Sequence, residues 1–161
     1  MFKMLTSAGI TAEECPIGFT ADIIGDKWSI IILRDIALLN RQTFNQLKNK
    51  NIEGISSSIL AKRLKRLEDI GLLTIRYDPA HRQKKIYCLT DPAIQFIPLI
   101  FALGRWARMF NHALADPNTP LGPCYDGDAK QIASFIEGLR EIHLRGASLA
   151  EVDPIFALLA S

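Results

Sequence analysis

Three leucines decide how the middle of this 161-residue chain can fold. Leu60, Leu64 and Leu67 recur at i, i+4 and i+7, so the stretch from Ile55 to Leu67 is predicted to be a helix with one apolar stripe. The opposite stripe carries Ser58, Ala61, Lys62 and Lys65, with Arg66 at its margin. Ser56, Ser57 and Ser58 stand at the entry, where a hydroxyl can cap a free backbone N–H. Short polar side chains at the N-terminal end can approach base edges, and lysines and arginines further along neutralise phosphates, which is what a major-groove helix needs. An ordinary surface helix with a solvated basic face has the same pattern, so the flanking sequence must decide.

Upstream, Thr43 and Gln46 form a candidate capping box for a short helix holding Phe44 and Leu47, and a connection through Asn49, Lys50, Asn51 and Gly54 leads on. Two short helices joined in this way, the second polar and basic on one face, make a helix-turn-helix. Gly71 is placed to end the second. Leu72–Tyr77 and Lys84–Leu89 alternate as strands do, and the turn-rich run from Asp78 to Gln83, with His81 and Arg82, joins them into a hairpin with a basic tip. That order spells a winged helix.

Before this unit, a helix is expected over about Pro16–Ile24, ended by Gly25, and a second over about Lys27–Leu38, capped by Asp26 and presenting Trp28, Ile31, Ile32 and Leu38 to a core. After it, Asp91 and Pro92 read as an N-cap and first helical residue. The following helix carries apolar residues around almost its whole circumference from Ile94 to Phe110, which suggests a partner, and Pro98 should bend or loosen it. Asp116–Pro123 reads as a stiff linker. Beyond it Ile132, Phe135, Ile136 and Leu139 predict a helix stopped by Gly146, and Ser148 with Glu151 suggests another capping box, with Asp153 before Pro154 the alternative start, before an apolar end at Ile155, Phe156, Leu158 and Leu159. The expected architecture is mainly α, a winged helix-turn-helix with a small β-hairpin wing and an extra helical C-terminal extension. Residues 1–115 would form the DNA-binding and dimerisation domain, and 116–161 the linker and extension.

Charge is distributed unevenly. Arg41–Tyr87 holds eleven Lys and Arg against four acids, a surplus of seven, whereas Asp116–Ser161 holds three bases against seven acids. A polyanion is therefore the expected partner of the middle alone. Cys15, Cys88 and Cys124 are widely spaced, with no Cys-x-x-Cys pair and no local histidine, which argues against a zinc site or a disulfide framework; no cofactor is expected. No signal peptide or membrane-length apolar run is evident, so a cytoplasmic location is expected.

Read together, several stretches resemble the HxlR family of winged-helix regulators, relatives of the MarR type. They are Cys15-Pro16, Ile24-Gly25-Asp26-Lys27-Trp28-Ser29, Ile32-Leu33-Arg34, Phe44-Asn45-Gln46-Leu47, Gly54-Ile55-Ser56, Leu60-Ala61-Lys62-Arg63-Leu64, Leu67-Glu68, Gly71-Leu72, Tyr77 and Tyr87-Cys88-Leu89-Thr90. They fall in order over about Cys15–Phe110. The resemblance implies a homodimer on a pseudo-palindromic operator, with the N-terminal and post-wing helices at the dimer interface. It also implies that Cys15, the position some members use, is a candidate redox sensor. Two departures stand out: Asp91-Pro92-Ala93 follows Thr90 where the family usually has an acidic residue and a glycine two further on, and the segment after Asp116 lies beyond the family core.

The leading expectation is a regulator that binds double-stranded DNA. Ser57, Ser58, Ala61, Lys62 and Lys65 would face the major groove, Arg66 would take flanking phosphate, and Arg82, Lys84 and Lys85 would supply wing contacts. Arg63 serves either phosphate or an intramolecular pair. A winged helix used only for protein–protein interaction is the alternative, and a small-molecule or oxidant effector is a further candidate partner. An enzyme would need an activated nucleophile or metal constellation, and none is evident: Cys15 has two acids, Glu13 and Glu14, beside it rather than an activating base, and His81, His112 and His143 are isolated.

Overall fold

A computed structural model describes residues 15–81, 83–114, 116 and 118–152. Arg82, the first fourteen residues and the apolar end from Asp153 onward lie outside the described residues. The elements run α1 (Pro16–Ile24), α2 (Lys27–Leu39), α3 (Phe44–Asn49), α4 (Ser57–Asp69), β1 (Leu73–Tyr77), β2 (Lys85–Leu89) and α5 (Asp91–Phe110). After a short 3-10 turn at His112–Leu114 come α6 (Gly122–Asp126), α7 (Ala129–Arg140), a π turn at Glu141–Arg145 and a second 3-10 turn at Leu149–Glu151.

Local chemistry accounts for most of the boundaries. Asp26 caps α2, accepting from the Trp28 and Ser29 amides at 3.0 Å each, and Asn40 ends the helix in the left-handed region. The α3 capping box is complete, Thr43 accepting from the Gln46 amide while the Gln46 side chain accepts from the Thr43 amide. Ser56 caps α4 through the Ile59 amide, and Gly71, at φ +77°, follows its end. The α5 N-cap is Thr90 rather than Asp91, which falls in the first turn, where its carboxylate can meet Arg140 of α7 at 2.9 Å. The helix continues through Pro98 to Phe110.

The core is built around α2. Ile32, Leu33, Ile36 and Leu38 pack with Leu47 of α3, Leu60, Leu64 and Leu67 of α4, Leu73 and Leu89 of the hairpin, and Ile94, Ile97 and Phe101 of α5. The strands pair antiparallel with Leu73 opposite Leu89 and Tyr77 opposite Lys85. Of the Asp116–Pro123 run, Leu121 and Gly122 are buried and α6 starts inside it. Leu121, Cys124, Phe135, Leu139 and Ile142 join the same core, and the Phe101 ring meets Tyr125 and Phe135 edge-on at 5.5 and 5.4 Å.

That packing changes the wing. In a two-stranded hairpin the face bearing Thr74, Arg76, Ile86 and Cys88 should be wet, yet Cys88 is 0% exposed. The π turn covers it. Arg76 donates from Nε to Cys88 Sγ at 3.0 Å and from Nη2 to the Ile142 carbonyl at 3.2 Å, while the buried His143 Nδ1 accepts from the Leu89 amide at 3.4 Å. Burial pushes the Cys88 thiol up, partly opposed by Arg76, and burial together with Arg76 holds His143 down to about 3, so its ring is neutral. Among the described residues no helix is long and apolar enough to cross a membrane.

Candidate nucleic-acid interface

The pose of α4 is fixed from below by a charged network. Asp35, only 1% exposed, accepts from Arg34 at 2.5 Å, from Arg41 at 3.1 Å and from Asn51 at 3.4 Å. Arg34 also forks onto Glu53 in the α3–α4 turn, at 2.6 and 3.1 Å. The Arg34 guanidinium holds the Glu53 carboxyl below the usual carboxylate range. Burial opposes the charge on Arg34, but Glu53 and Asp35 outweigh it and keep the guanidinium protonated. Asn51 Oδ1 then accepts from the Ile55 amide, one residue before the Ser56 cap, so the network runs from the middle of α2 to the first turn of α4. Sequence reasoning missed these roles because their partners are up to nineteen residues apart.

With Leu60, Leu64 and Leu67 anchored inward, the outer face follows from helix geometry. Ser57, Ser58, Ala61, Lys62 and Lys65 are all exposed, and the sequence-predicted face is brought together on one surface. Lys65 bonds Asp69 at 2.5 Å, which raises its pKa, whereas Lys62 makes no ion pair with another described residue. Arg66 is half-buried and donates to the Asp22 carbonyl of α1 at 2.5 Å. Of the two readings of Arg63, the structure bears out the intramolecular one: it pairs with Asp26 at 3.2 Å.

Beside this face stands the wing. Lys84 bonds Asp78 across the turn at 2.9 Å, holding that carboxyl low, and Asp78 also accepts from the Ala80 amide. Lys85 is exposed and makes no ion pair with another described residue. Between the wing and the start of α3 lies a groove of about 570 Å³ lined by Asn45, His81, Gln83, Lys84, Lys85 and Tyr87, among others. Asn45 is remote from the lysines in the chain and reaches them only through the fold, whereas His81 and Gln83 belong to the same turn as Lys84.

Cys15 is exposed at the N-cap of α1, its Sγ accepting from the Gly18 amide at 3.3 Å. All three cysteines are free, and among the described residues no three His, Cys, Asp or Glu side chains gather as metal ligands would.

Comparison with known proteins places this architecture. The model of the HxlR-like helix-turn-helix family matches residues 23–114, more than half of the chain. An uncharacterised HTH-type transcriptional regulator of Halalkalibacterium halodurans is 33% identical over 94 residues, covering 58% of this chain and 82% of its own. The uncharacterised HTH-type regulator YtfH of Escherichia coli is 29% identical over 108 residues, covering 66% of this chain and 83% of its own. The crystal structure of PA1607, a candidate transcription factor, aligns with a TM-score of 0.55 at 29% identity, over 60% of this chain and 66% of that one. The chain belongs to the HxlR-like helix-turn-helix family, a family of DNA-binding transcriptional regulators and not of enzymes.

Proposed function

We propose that the protein acts in the cytoplasm as a homodimer on a pseudo-palindromic operator, with α4 of each subunit in the major groove. The observation that carries this reading is the capped, leucine-anchored α4, which holds Ser57, Ser58, Ala61, Lys62 and Lys65 outward beside the wing. Lys62 and Lys65 read or neutralise from the groove, Arg66 flanks them at the margin nearest α1, and Arg82, Lys84 and Lys85 take backbone phosphate. Residues 1–115 form the DNA-binding and dimerisation unit in this reading, and 116–161 the extension.

A second copy fits the outer side of α5. Pro92, Phe96, Leu99, Leu103, Trp106 and Phe110 are spaced 4-3-4-3-4, the repeat of a helix–helix seam. Leu99, Leu103, Trp106 and Phe110 of this stripe are exposed, the last two at 65% and 72%. A single recognition helix spans few base pairs, so a two-fold partner placing the second helix about 34 Å away supplies the other half-site. Cys15, exposed at a helix N-terminus, is the candidate sensor of an oxidant effector in this assembly.

The test is a titration of the full chain against random-sequence and selected duplexes at two salt concentrations. Phosphate binding predicts a steep fall in affinity with salt. Lys62→Ala should weaken selected duplex more than random duplex, and Lys85→Ala should weaken both alike. Affinity insensitive to salt and to both substitutions would overturn the reading.

A further inference from the structure

One residue on the outer surface of α4 does not match its polar and basic neighbours. Ile59 is a large apolar side chain left 38% exposed, and it belongs neither to the buried core nor to the half-buried residues packed against it. It sits in the first turn, its amide capped by Ser56, with Ser57, Ser58 and Lys62 exposed around it. Ile59, Arg63 and Arg66 share one stripe at i, i+4 and i+7. The later two are clasped inward, Arg63 on Asp26 and Arg66 on the Asp22 carbonyl, so the stripe is pinned along α1 and the start of α2 while its first member projects beyond.

Resting on the major-groove placement of α4, we infer that Ile59 is a specificity residue that packs on the C5-methyl group of a thymine. The N-terminal residues of a recognition helix are those that meet base edges. Of the groups that tell one base pair from another in the major groove, the thymine methyl is the one that rewards an apolar side chain, the rest being hydrogen-bond donors and acceptors. A β-branched residue suits the task because χ1 is already restricted in a helix, so little freedom is lost when its methyl groups are seated. Lys62, three residues on, lies about 5–6 Å away between Cβ atoms. With stacked bases about 3.4 Å apart along a strand, the thymine and any base read by Lys62 stand one or two steps apart.

The experiment removes the methyl group without touching the rest of the base. A random duplex pool is enriched on the full-length protein, then resynthesised with deoxyuridine in place of thymidine. Wild type should bind the uracil duplexes about fourfold more weakly for each methyl group seated, and about fifteenfold where a dimer seats two. Ile59→Ala should bind thymine and uracil versions equally, and Ile59→Val, which keeps a branched pair of methyl groups, should keep part of the difference. Circular dichroism checks that both variants fold. Equal wild-type affinity for the two pools, or an undiminished thymine preference in Ile59→Ala, would overturn the inference while leaving DNA binding intact. Failure to enrich any pool would overturn the DNA-binding reading itself, and this inference with it.

Discussion

A Cβ built on Gly104 would lie 2.5 Å from Cε1 of Tyr125, so the ring from α6 occupies the place where any other residue of α5 would carry a side chain. The ring also meets Phe101 at 5.5 Å in a T-shaped contact that moving it would disturb. Gly104→Ala should therefore destabilise the fold by about 1–3 kcal/mol through overpacking, less up to about 1 kcal/mol of gained helix propensity. Urea denaturation measures the net. In the double variant Gly104→Ala/Tyr125→Ala the two costs should fall short of additive, because the ring that alanine meets is gone.

The network under the recognition helix makes a second prediction. Asp35→Ala leaves Arg34 and Arg41 without their shared buried carboxylate and should cost about 3–5 kcal/mol. Glu53→Gln removes only the half-buried end of the network and should cost about 1 kcal/mol or less. Its effect should appear more in discrimination between selected and random duplex than in the denaturation midpoint. Equal stability of Asp35→Ala and wild type would show that the three charges are not coupled.

Acid should loosen the clamp between the wing and the extension. His143 is held at about 3 in the folded chain, well below its value of 6.5 when free, so the unfolded chain binds a proton that the folded chain refuses. Stability is then undiminished above pH 6.5 and falls as pH drops from there toward 3, at up to about 1.4 kcal/mol per pH unit. The carboxyls held low by partners, Glu53, Asp78 and Asp91 among them, add their own loss only below the usual carboxylate range. Between pH 6.5 and 5 the slope should belong largely to His143, and His143→Leu should flatten it in denaturation series run at each pH. A wild-type stability constant over that window would refute the assignment.

Dimerisation is best tested where the surface is already wet. Trp106→Glu and Leu103→Glu alter exposed side chains of α5 and should leave each subunit folded while placing like charges across the proposed seam. Sedimentation should show a shift toward monomer, and affinity should fall for DNA with two half-sites far more than for a single half-site. Either variant sedimenting as an unchanged dimer would move the interface elsewhere.

Local signals made most of the winged-helix unit legible in the sequence. Thr43 with Gln46, Ser56, Asp26 and Gly71 act within three or four residues of the groups they satisfy, so their spacing alone locates the helix ends. The leucine stripe of α4 likewise determines which side chains face outward. Cys88 shows where that reading stops: alternation puts it on the wet face of the wing, and only a turn more than fifty residues later covers it. His143 is isolated in the sequence for the same reason, since its neighbours Leu89 and Gln42 are remote in the chain. Its place before Pro92 predicts Asp91 as a cap, but Thr90 takes that position and Asp91 meets Arg140 of α7 instead.

The contact between Gln42 and His143 spans 101 residues of chain, and it bears on how the protein is made. At a synthesis rate of about 5–20 residues per second, Gln42 leaves the peptidyl-transferase centre roughly 5–20 s before its partner histidine has been polymerised. The segment holding α3 and α4 can form its caps in that interval, because their partners are already present. The underside of the wing cannot close until residues 141–146 arrive. A nascent chain therefore carries its recognition helix well before its hairpin is sealed, and ribosome-bound chains stopped at increasing lengths should gain protease resistance at the wing last.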